Sequence, residues 1–142
     1  MYKVIIIEDD PMFASINKQY VELTSSFHVE ATFKNGILAL QYLQNCTVDL
    51  IILDYYTPQM NCDEFIDQLH AAGMTPAIIM VTSANDAETV RRLISRGVTD
   101  YLVKPFEYDR VKAALERFAK RQEELKTSTS ASDRGQAEIY RL

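Results

Sequence analysis

Short apolar runs alternate with segments of helical spacing along most of the chain. Five runs, mostly apolar or β-branched, predict strands at residues 3–7, 27–33, 48–53, 77–81 and 101–103. Between them, and after the last one, apolar residues recur every three or four positions, as on one face of a helix. The alternation predicts an α/β fold, a doubly wound five-stranded parallel sheet with five helices.

Local signals indicate where several helices begin and end. Pro11 suits a first helical turn, Gly73 and Gly97 suit the ends of the third and fourth helices, and Asn85 with Glu88 has the spacing of a capping box. The fourth helix is expected to bury three residues, Val90, Leu93 and Ile94. The longest helix is predicted over Phe106–Leu125, and its apolar stripe comprises Val111, Leu115, Phe118 and Leu125.

The end of the chain has a different composition. Residues 127–132 are rich in Ser and Thr and have no apolar period, which is typical of a flexible linker. We therefore expect a folded domain at 1–126, followed at 127–142 by a flexible linker or the start of a missing output domain. A frayed tail without a role is the alternative.

Composition and charge narrow the function classes. The 142 residues suit one domain, and a net charge of −5 disfavours direct binding of nucleic acid. Two cysteines, Cys46 and Cys62, lack metal-ligand spacing, which favours a reducing compartment. No apolar run approaches the roughly 20 residues that span a bilayer, and residues 1–7 are too short for a signal peptide. We expect a soluble, cytoplasmic protein without membrane partners.

Acidic, hydroxyl and lysine side chains, which can take part in binding or catalysis, stand at the carboxyl ends of four predicted strands. Glu8 and Asp9 follow the first strand, and Asp54, Thr82 and Lys104 follow the third, fourth and fifth. Taken singly, such residues are usually helix caps, turn residues or surface lysines. Because parallel strands end at the same rim, and ligands bind there in open α/β sheets, the five together predict a shared site.

The residue types at this rim suit a metal ion and a phosphoryl group. Three carboxylates held together repel each other unless a cation is present, and Mg²⁺ prefers such oxygen ligands. Lys104 adds a positive charge and Thr82 a hydroxyl, which suit the equatorial oxygens of a transferring phosphoryl group. Asp54 would be the nucleophilic carboxylate.

Four segments resemble the receiver family of bacterial response regulators. They are VIIIEDDP at 4–11, DLIILDYYTPQM at 49–60, MVTSAND at 80–86 and DYLVKPF at 100–106, and the resemblance covers roughly residues 3–120. Residues 81–106 also resemble the citrate- and dicarboxylate-responsive regulators, in which a receiver precedes a helix-turn-helix domain. This implies the flavodoxin-like receiver fold of the chemotaxis receiver protein.

The resemblance assigns a role to each residue of the rim. It implies that Asp54 is the phosphoacceptor and that Glu8, Asp9, Asp54 and the backbone carbonyl of Tyr56 hold Mg²⁺, with Asp10 as a helix-start charge. It further implies that Thr82 and Lys104 contact the phosphoryl group. Pro105 is implied to follow a cis bond, and Tyr101 matches the aromatic switch position that moves with Thr82.

The implied partners are a sensor histidine kinase and, on phosphorylation, a second copy of the chain. Phosphorylation would alter the face formed by the fourth helix, fifth strand and fifth helix, and control transcription through a C-terminal DNA-binding domain. Stand-alone or phosphorelay receivers are the alternative. An aspartyl-nucleophile phosphatase is more remote, because such enzymes place a second acid where Tyr56 stands. Four unclustered glycines exclude a Gly-rich nucleotide-binding loop.

Two positions depart from the family pattern. Cys62 stands where the family often has Gly, so a positive φ would strain Cys62 unless the loop shifts and Asn61 takes the turn. Tyr56 is bulky beside the acceptor, where the family's residue tunes the access of water. We therefore expect Tyr56→Asn to change the lifetime of an aspartyl phosphate.

Overall fold

Strands and helices alternate from one end of the protein to the other. A computed structural model describes residues 1–83 and 87–141, with side chains as far as residue 126. The elements in chain order are β1 (Tyr2–Ile7), α1 (Pro11–Leu23), β2 (Phe27–Phe33), α2 (Gly36–Leu43), β3 (Leu50–Asp54), α3 (Cys62–Ala71), β4 (Ala77–Thr82), α4 (Ala87–Ser95), β5 (Asp100–Val103) and α5 (Tyr108–Arg141). Asn85, and with it the predicted capping box, lies outside the described residues.

The five strands form one sheet in the order β2-β1-β3-β4-β5, and every neighbouring pair is parallel. The predicted doubly wound fold is therefore confirmed. β1 and β3 are neighbours although β2 separates them in sequence, so the strand order reverses beside β1. Such a reversal opens a crevice at the carboxyl ends of the strands, where ligands of this sheet type bind.

The core consists of two apolar layers, one on each face of the sheet. Successive strand residues point to opposite faces, so Val4 and Ile6 pack with α1 and α5, whereas Ile5 and Ile7 pack with α2, α3 and α4. All five residues of β3 are buried, which explains its unbroken apolar run. Because both faces of the sheet are covered by apolar layers, polar side chains are found at the ends of the strands.

The first turn of α1 is fixed by local interactions. Asp10 caps the helix, since its carboxylate accepts a hydrogen bond of 2.9 Å from the Met12 backbone N–H. Pro11 occupies the first helical turn, as predicted. Gly73 and Gly97 follow α3 and α4 with φ of 73° and 100°, the backbone region that glycine enters most easily.

Two predicted buried faces are smaller than expected. On α4 only Leu93 is buried, Val90 is half-buried, and Ile94 is 47% exposed, so the prediction for Ile94 was wrong. Consecutive helical residues are rotated by about 100°, which turns Ile94 away from the layer that Leu93 enters. Leu125 was also wrongly placed in the stripe of α5 and is 53% exposed, about two turns beyond the buried Phe118.

The bounds of α5 differ from the predicted ones at both ends. The helix begins at Tyr108, after a turn in which Phe106 packs against the core, and its backbone remains helical to Arg141. Ser and Thr are poor helix formers, but a helix that has already nucleated propagates through them. The division of the chain after residue 126 stays a prediction. Over the span the structure describes, no helix has the length and apolar character to cross a membrane.

Candidate functional site

The acids predicted for the rim lie together at the carboxyl ends of β1 and β3. These strands are neighbours in register, with Ile7 opposite Leu53, so Glu8 and Asp9 follow β1 beside Asp54 at the end of β3. One carboxylate oxygen from each acid lies within 4.8 Å of the others. Glu8 and Asp54 are buried, whereas Asp9 is exposed. The cluster is thus partly shielded from water but open on one side.

Lys104 brings a positive charge to the same place. Its Nζ lies 2.7 Å from Glu8 Oε1 and 3.4 Å from Asp54 Oδ2, and 14% of its side chain is exposed. Its backbone N–H donates to the Thr82 carbonyl at 2.7 Å, which fixes the start of the segment after β5. The following bond, Lys104–Pro105, is cis, as the family resemblance implied.

The electrostatics of the cluster keep Lys104 charged and leave the acids short of positive charge. Burial raises the pKa of Glu8, and the neighbouring Asp54 raises it further, while the hydrogen bond from Lys104 opposes both effects. Burial by itself lowers the pKa of Lys104, but the hydrogen bond to Glu8 and the charges of Asp54 and Glu8 outweigh it, so the net shift is upward. One ammonium facing three carboxyl groups leaves room for a further cation. This donor set fits Mg²⁺, which prefers oxygen ligands.

An aromatic ring completes the surroundings of Lys104. The Nζ of Lys104 lies 4.2 Å from the centroid of the Phe13 ring, within cation–π range. Phe13 has the helical spacing of an apolar face with Ile16 and Tyr20, so the sequence by itself gives it no site role. The sequence feature that could have indicated a site role for Phe13 was its position in the first helical turn after the acidic residues.

Tyr55 and Tyr56 line the rim directly after Asp54. The Tyr56 backbone N–H donates to Asp54 Oδ1 at 3.2 Å, while its side chain is 56% exposed. The rings of Tyr55 and Tyr56 meet edge to face at 4.8 Å. The hydroxyl of Tyr55 accepts a hydrogen bond of 3.4 Å from Arg92 on α4, so Tyr55 links the rim to that helix. A ligand role for the Tyr56 carbonyl remains a prediction.

Thr82 and Tyr101 lie on adjacent strands near Asp54. Asp54 is in register with Val81, so Thr82, the last residue of β4, follows one position beyond and is buried. Tyr101 is half-buried and packs against the apolar layer under α4. Both side chains line a cavity of about 10 Å³, close to the minimum for one water molecule.

In the loop after Asp54, the residue with a positive φ is not one of those expected. Gln59 has the positive φ, 70°, whereas Asn61 is extended and caps α3 through a capping box with Glu64. The expectation of strain at Cys62, or of the turn at Asn61, was wrong. Cys62 is the first residue of α3, and burial raises the pKa of its thiol to about 12, so it is a core residue.

Comparison with known proteins identifies the family of this chain. The chain matches the response regulator receiver domain over residues 4–116. It is 38% identical over 117 residues to a probable C4-dicarboxylate response regulator DctR of Priestia megaterium (82% of this chain, 51% of the relative) and 39% identical over 137 residues to one of Halalkalibacterium halodurans (94% and 60%). The transcriptional regulatory protein DcuR of Escherichia coli is 36% identical over 117 residues (81% and 49%). The chain thus spans about half the length of these curated relatives.

Solved structures show the same fold. The response regulatory domain of protein mrkE from Klebsiella pneumoniae superposes with a TM-score of 0.77 at 24% identity, covering 86% of this chain and 98% of the other. The signal receiver domain of a signal transduction histidine kinase from Syntrophus aciditrophicus gives 0.70 at 26% identity, covering 83% and 89%. The chain belongs to the response regulator receiver domains of two-component systems, and it is related to transcriptional regulators of the C4-dicarboxylate and citrate group.

Proposed function

We propose that this receiver accepts a phosphoryl group on Asp54 from a sensor histidine kinase, in a reaction that depends on Mg²⁺. One observation above all supports the proposal: the carboxylates of Glu8, Asp9 and Asp54 and the ammonium of Lys104 meet at one rim. A rim that only capped helices would not need a partly buried lysine among three acids. Phosphoryl transfer needs concentrated positive charge beside a nucleophile.

Each residue has a definite part in the proposed transfer. A carboxylate oxygen of Asp54 forms a bond to phosphorus, the bond from phosphorus to the donor imidazole nitrogen breaks, and that nitrogen keeps the electron pair. Lys104 exchanges its contact with Glu8 for an oxygen of the phosphoryl group, and the Thr82 hydroxyl donates a hydrogen bond to another. Glu8, Asp9, Asp54 and the Tyr56 carbonyl would hold Mg²⁺, which supplies positive charge beside the phosphoryl oxygens.

The proposed switch comprises Thr82, Tyr101 and the face formed by α4, β5 and α5. The cavity that Thr82 and Tyr101 line is far too small for a phenol ring, so an inward movement of Tyr101 requires neighbouring residues of α4 to shift. Arg110 on α5 donates to the Tyr101 carbonyl at 2.9 Å, which ties β5 to α5. Such a shift alters the outer face and favours pairing with a second copy of the chain.

The proposed output is control of transcription through a DNA-binding domain beyond this chain. The relatives named as regulators are about twice as long as the matched region, which supports an additional domain. The receiver itself has a net charge of −5, which disfavours direct binding of nucleic acid. A stand-alone receiver or phosphorelay intermediate, which acts by protein contact, is the alternative. A full-length gene without a helix-turn-helix pattern after residue 142 would favour that alternative.

Phosphorylation from a small donor tests the central proposal. The wild-type chain, incubated with acetyl phosphate and Mg²⁺, is expected to gain the mass of one phosphoryl group, and chelation of Mg²⁺ should prevent this. Asp54→Asn should abolish the gain, because the amide is not a nucleophile. Asp49→Asn is the matched control, since Asp49 lies just before the opposite end of β3 and is exposed. Phosphorylation of Asp54→Asn at the wild-type rate would overturn the proposal.

A further inference from the structure

Within the part of the chain that the structure describes, the Lys104 ammonium contacts two carboxylates and one uncharged aromatic ring. Glu8 lies at 2.7 Å, Asp54 at 3.4 Å and the Phe13 ring centroid at 4.2 Å. With 14% of the side chain exposed, water replaces few of these contacts. An ammonium that moves from one anion to another is therefore stabilised during the exchange mainly by a partner that stays beside it.

The position of Phe13 is set independently of Lys104. Asp10 caps α1 through the Met12 backbone N–H at 2.9 Å, and Pro11 fixes the first helical turn that contains Phe13. The half-buried ring is thus held on a stable helix start, while Lys104 approaches it from the segment after β5. The ring therefore stays in place as a contact for the ammonium when Lys104 moves.

The chemistry of the ring suits an ammonium that must change partners. The face of a phenyl ring attracts a cation through its quadrupole and has no net charge. A fourth carboxylate here would compete with a phosphoryl group for Lys104 and would repel the phosphoryl oxygens. An aliphatic side chain would leave the desolvated ammonium without compensation as it left Glu8.

We propose that Phe13 is a positioning residue for phosphoryl transfer, which holds the Lys104 ammonium on its ring while the charged partner of Lys104 changes from Glu8 to the incoming phosphoryl group. This inference rests on the proposed function at Asp54. It adds a residue of α1 to a site otherwise formed at the ends of four strands and in the segments that follow them.

The contact itself is tested without phosphate or metal. Protons above an aromatic ring resonate upfield, so the Lys104 ε-methylene protons of the wild-type chain should be shifted upfield in proton–carbon spectra. Phe13→Leu should remove the shift, and Phe13→Tyr should keep it. Tyr20→Leu is the matched control, because Tyr20 is an α1 aromatic that stacks on Tyr108 at 5.6 Å instead of on Lys104. Equal Lys104 shifts in the wild type and Phe13→Leu would overturn the inference.

The consequence for transfer is tested with acetyl phosphate. Phe13→Leu should slow phosphorylation of Asp54 by about threefold to tenfold, the range expected for one partly desolvated cation–π contact. Phe13→Tyr should restore the rate, and Tyr20→Leu should not change it. The Mg²⁺-induced rise in melting temperature should be equal in the wild type and Phe13→Leu, since Phe13 is no metal ligand. Unaltered phosphorylation in Phe13→Leu would contradict this inference, whereas absent phosphorylation in the wild type would contradict the proposed function.

Discussion

At the residue scale, Lys104 is shared unequally between two acids of the rim. Its Nζ lies closer to Glu8 Oε1, at 2.7 Å, than to Asp54 Oδ2, at 3.4 Å, so its closest charged contact is with Glu8. Asp54 in turn accepts a hydrogen bond from the Tyr56 backbone N–H at 3.2 Å. A backbone group therefore holds the carboxylate of Asp54 in place, independently of its longer contact with Lys104.

The Tyr56 side chain is expected to govern the lifetime of the aspartyl phosphate. It stands beside the acceptor, 56% exposed, with its ring packed edge to face on Tyr55 at 4.8 Å. Tyr56→Asn removes this cover and gives an attacking water better access, so hydrolysis should become about threefold faster or more, a barrier change of ~0.7 kcal/mol. The measurement is the loss of phosphorylated protein with time after the donor is removed.

Tyr56→Phe is the control for this prediction, because it keeps the ring and loses only the hydroxyl. Its lifetime should stay near that of the wild type. An equal hydrolysis rate in Tyr56→Asn and the wild type would show that the ring does not limit water access.

At the element scale, α4 is attached to the rest of the domain largely through charged groups. We call the contact of Asp63 and Asp67 on α3 with Arg92 on α4 and Arg96 in the turn directly after it the α3–α4 clamp. Asp63 Oδ1 accepts from Arg92 at 2.6 Å and from Arg96 at 2.8 Å, and Arg96 also pairs with Asp67. Leu93 is the one buried residue that α4 contributes within the described part of the chain. A helix with so little apolar burial opens more easily than its neighbours.

Asp63→Asn is expected to loosen α4 with little effect on global stability. The amide keeps the size of the side chain but loses the charge that attracts both arginines. Because partly exposed pairs contribute about 1 kcal/mol or less each, the midpoint of unfolding should change little. Amide hydrogen exchange in α4 should nevertheless become faster, by about threefold or more.

Salt and a neighbouring arginine provide the controls for the clamp. Added salt should speed exchange of α4 in the wild type more than in Asp63→Asn, since it screens the charges that the variant has already lost. Arg91→Gln should leave exchange unchanged, because the Arg91 side chain bonds to the Ala87 carbonyl of its own helix. Equal salt dependence in the wild type and Asp63→Asn would argue against the clamp.

At the scale of the whole molecule, the acidic rim brings together three carboxyl groups whose mutual repulsion lowers the stability of the fold. Glu8, Asp9 and Asp54 are held within 4.8 Å by strand geometry, and Lys104 supplies one positive charge. The unfolded chain keeps these acids apart and has no such repulsion. A metal ion that binds only the folded rim therefore stabilises the domain by mass action.

Thermal unfolding of Asp9→Asn should separate the repulsion among the acids from the stabilisation by a bound metal ion. Without metal, its melting temperature should exceed that of the wild type by a few degrees, because one of three mutually repelling charges is gone. With rising Mg²⁺, the wild type should gain stability while Asp9→Asn gains much less. Asp109→Asn, in the first turn of α5, is the control and should respond to Mg²⁺ as the wild type does. A full Mg²⁺ response in Asp9→Asn would remove Asp9 from the ligand set.

The sequence alone determined the architecture of this protein and the place of its site. Short unbroken apolar runs between segments of helical spacing favour strands buried on both faces. The helices between them favour parallel pairing, so Asp54 and Lys104 were expected at one rim. The family motifs added a role for each polar group, and these roles stay predictions. The inferences about fold and position succeeded because they depend on hydrophobic period and on the order of elements along the chain.

Only the tertiary structure decided which side chains meet across elements. Phe13 lies beside Lys104, 91 positions further along the chain, and Tyr55 meets Arg92 of α4. The positive φ falls on Gln59 instead of Cys62, and Ile94 turns outward although its spacing favoured the core. Helical period shows that a face is apolar, whereas packing decides how much of that face another layer covers.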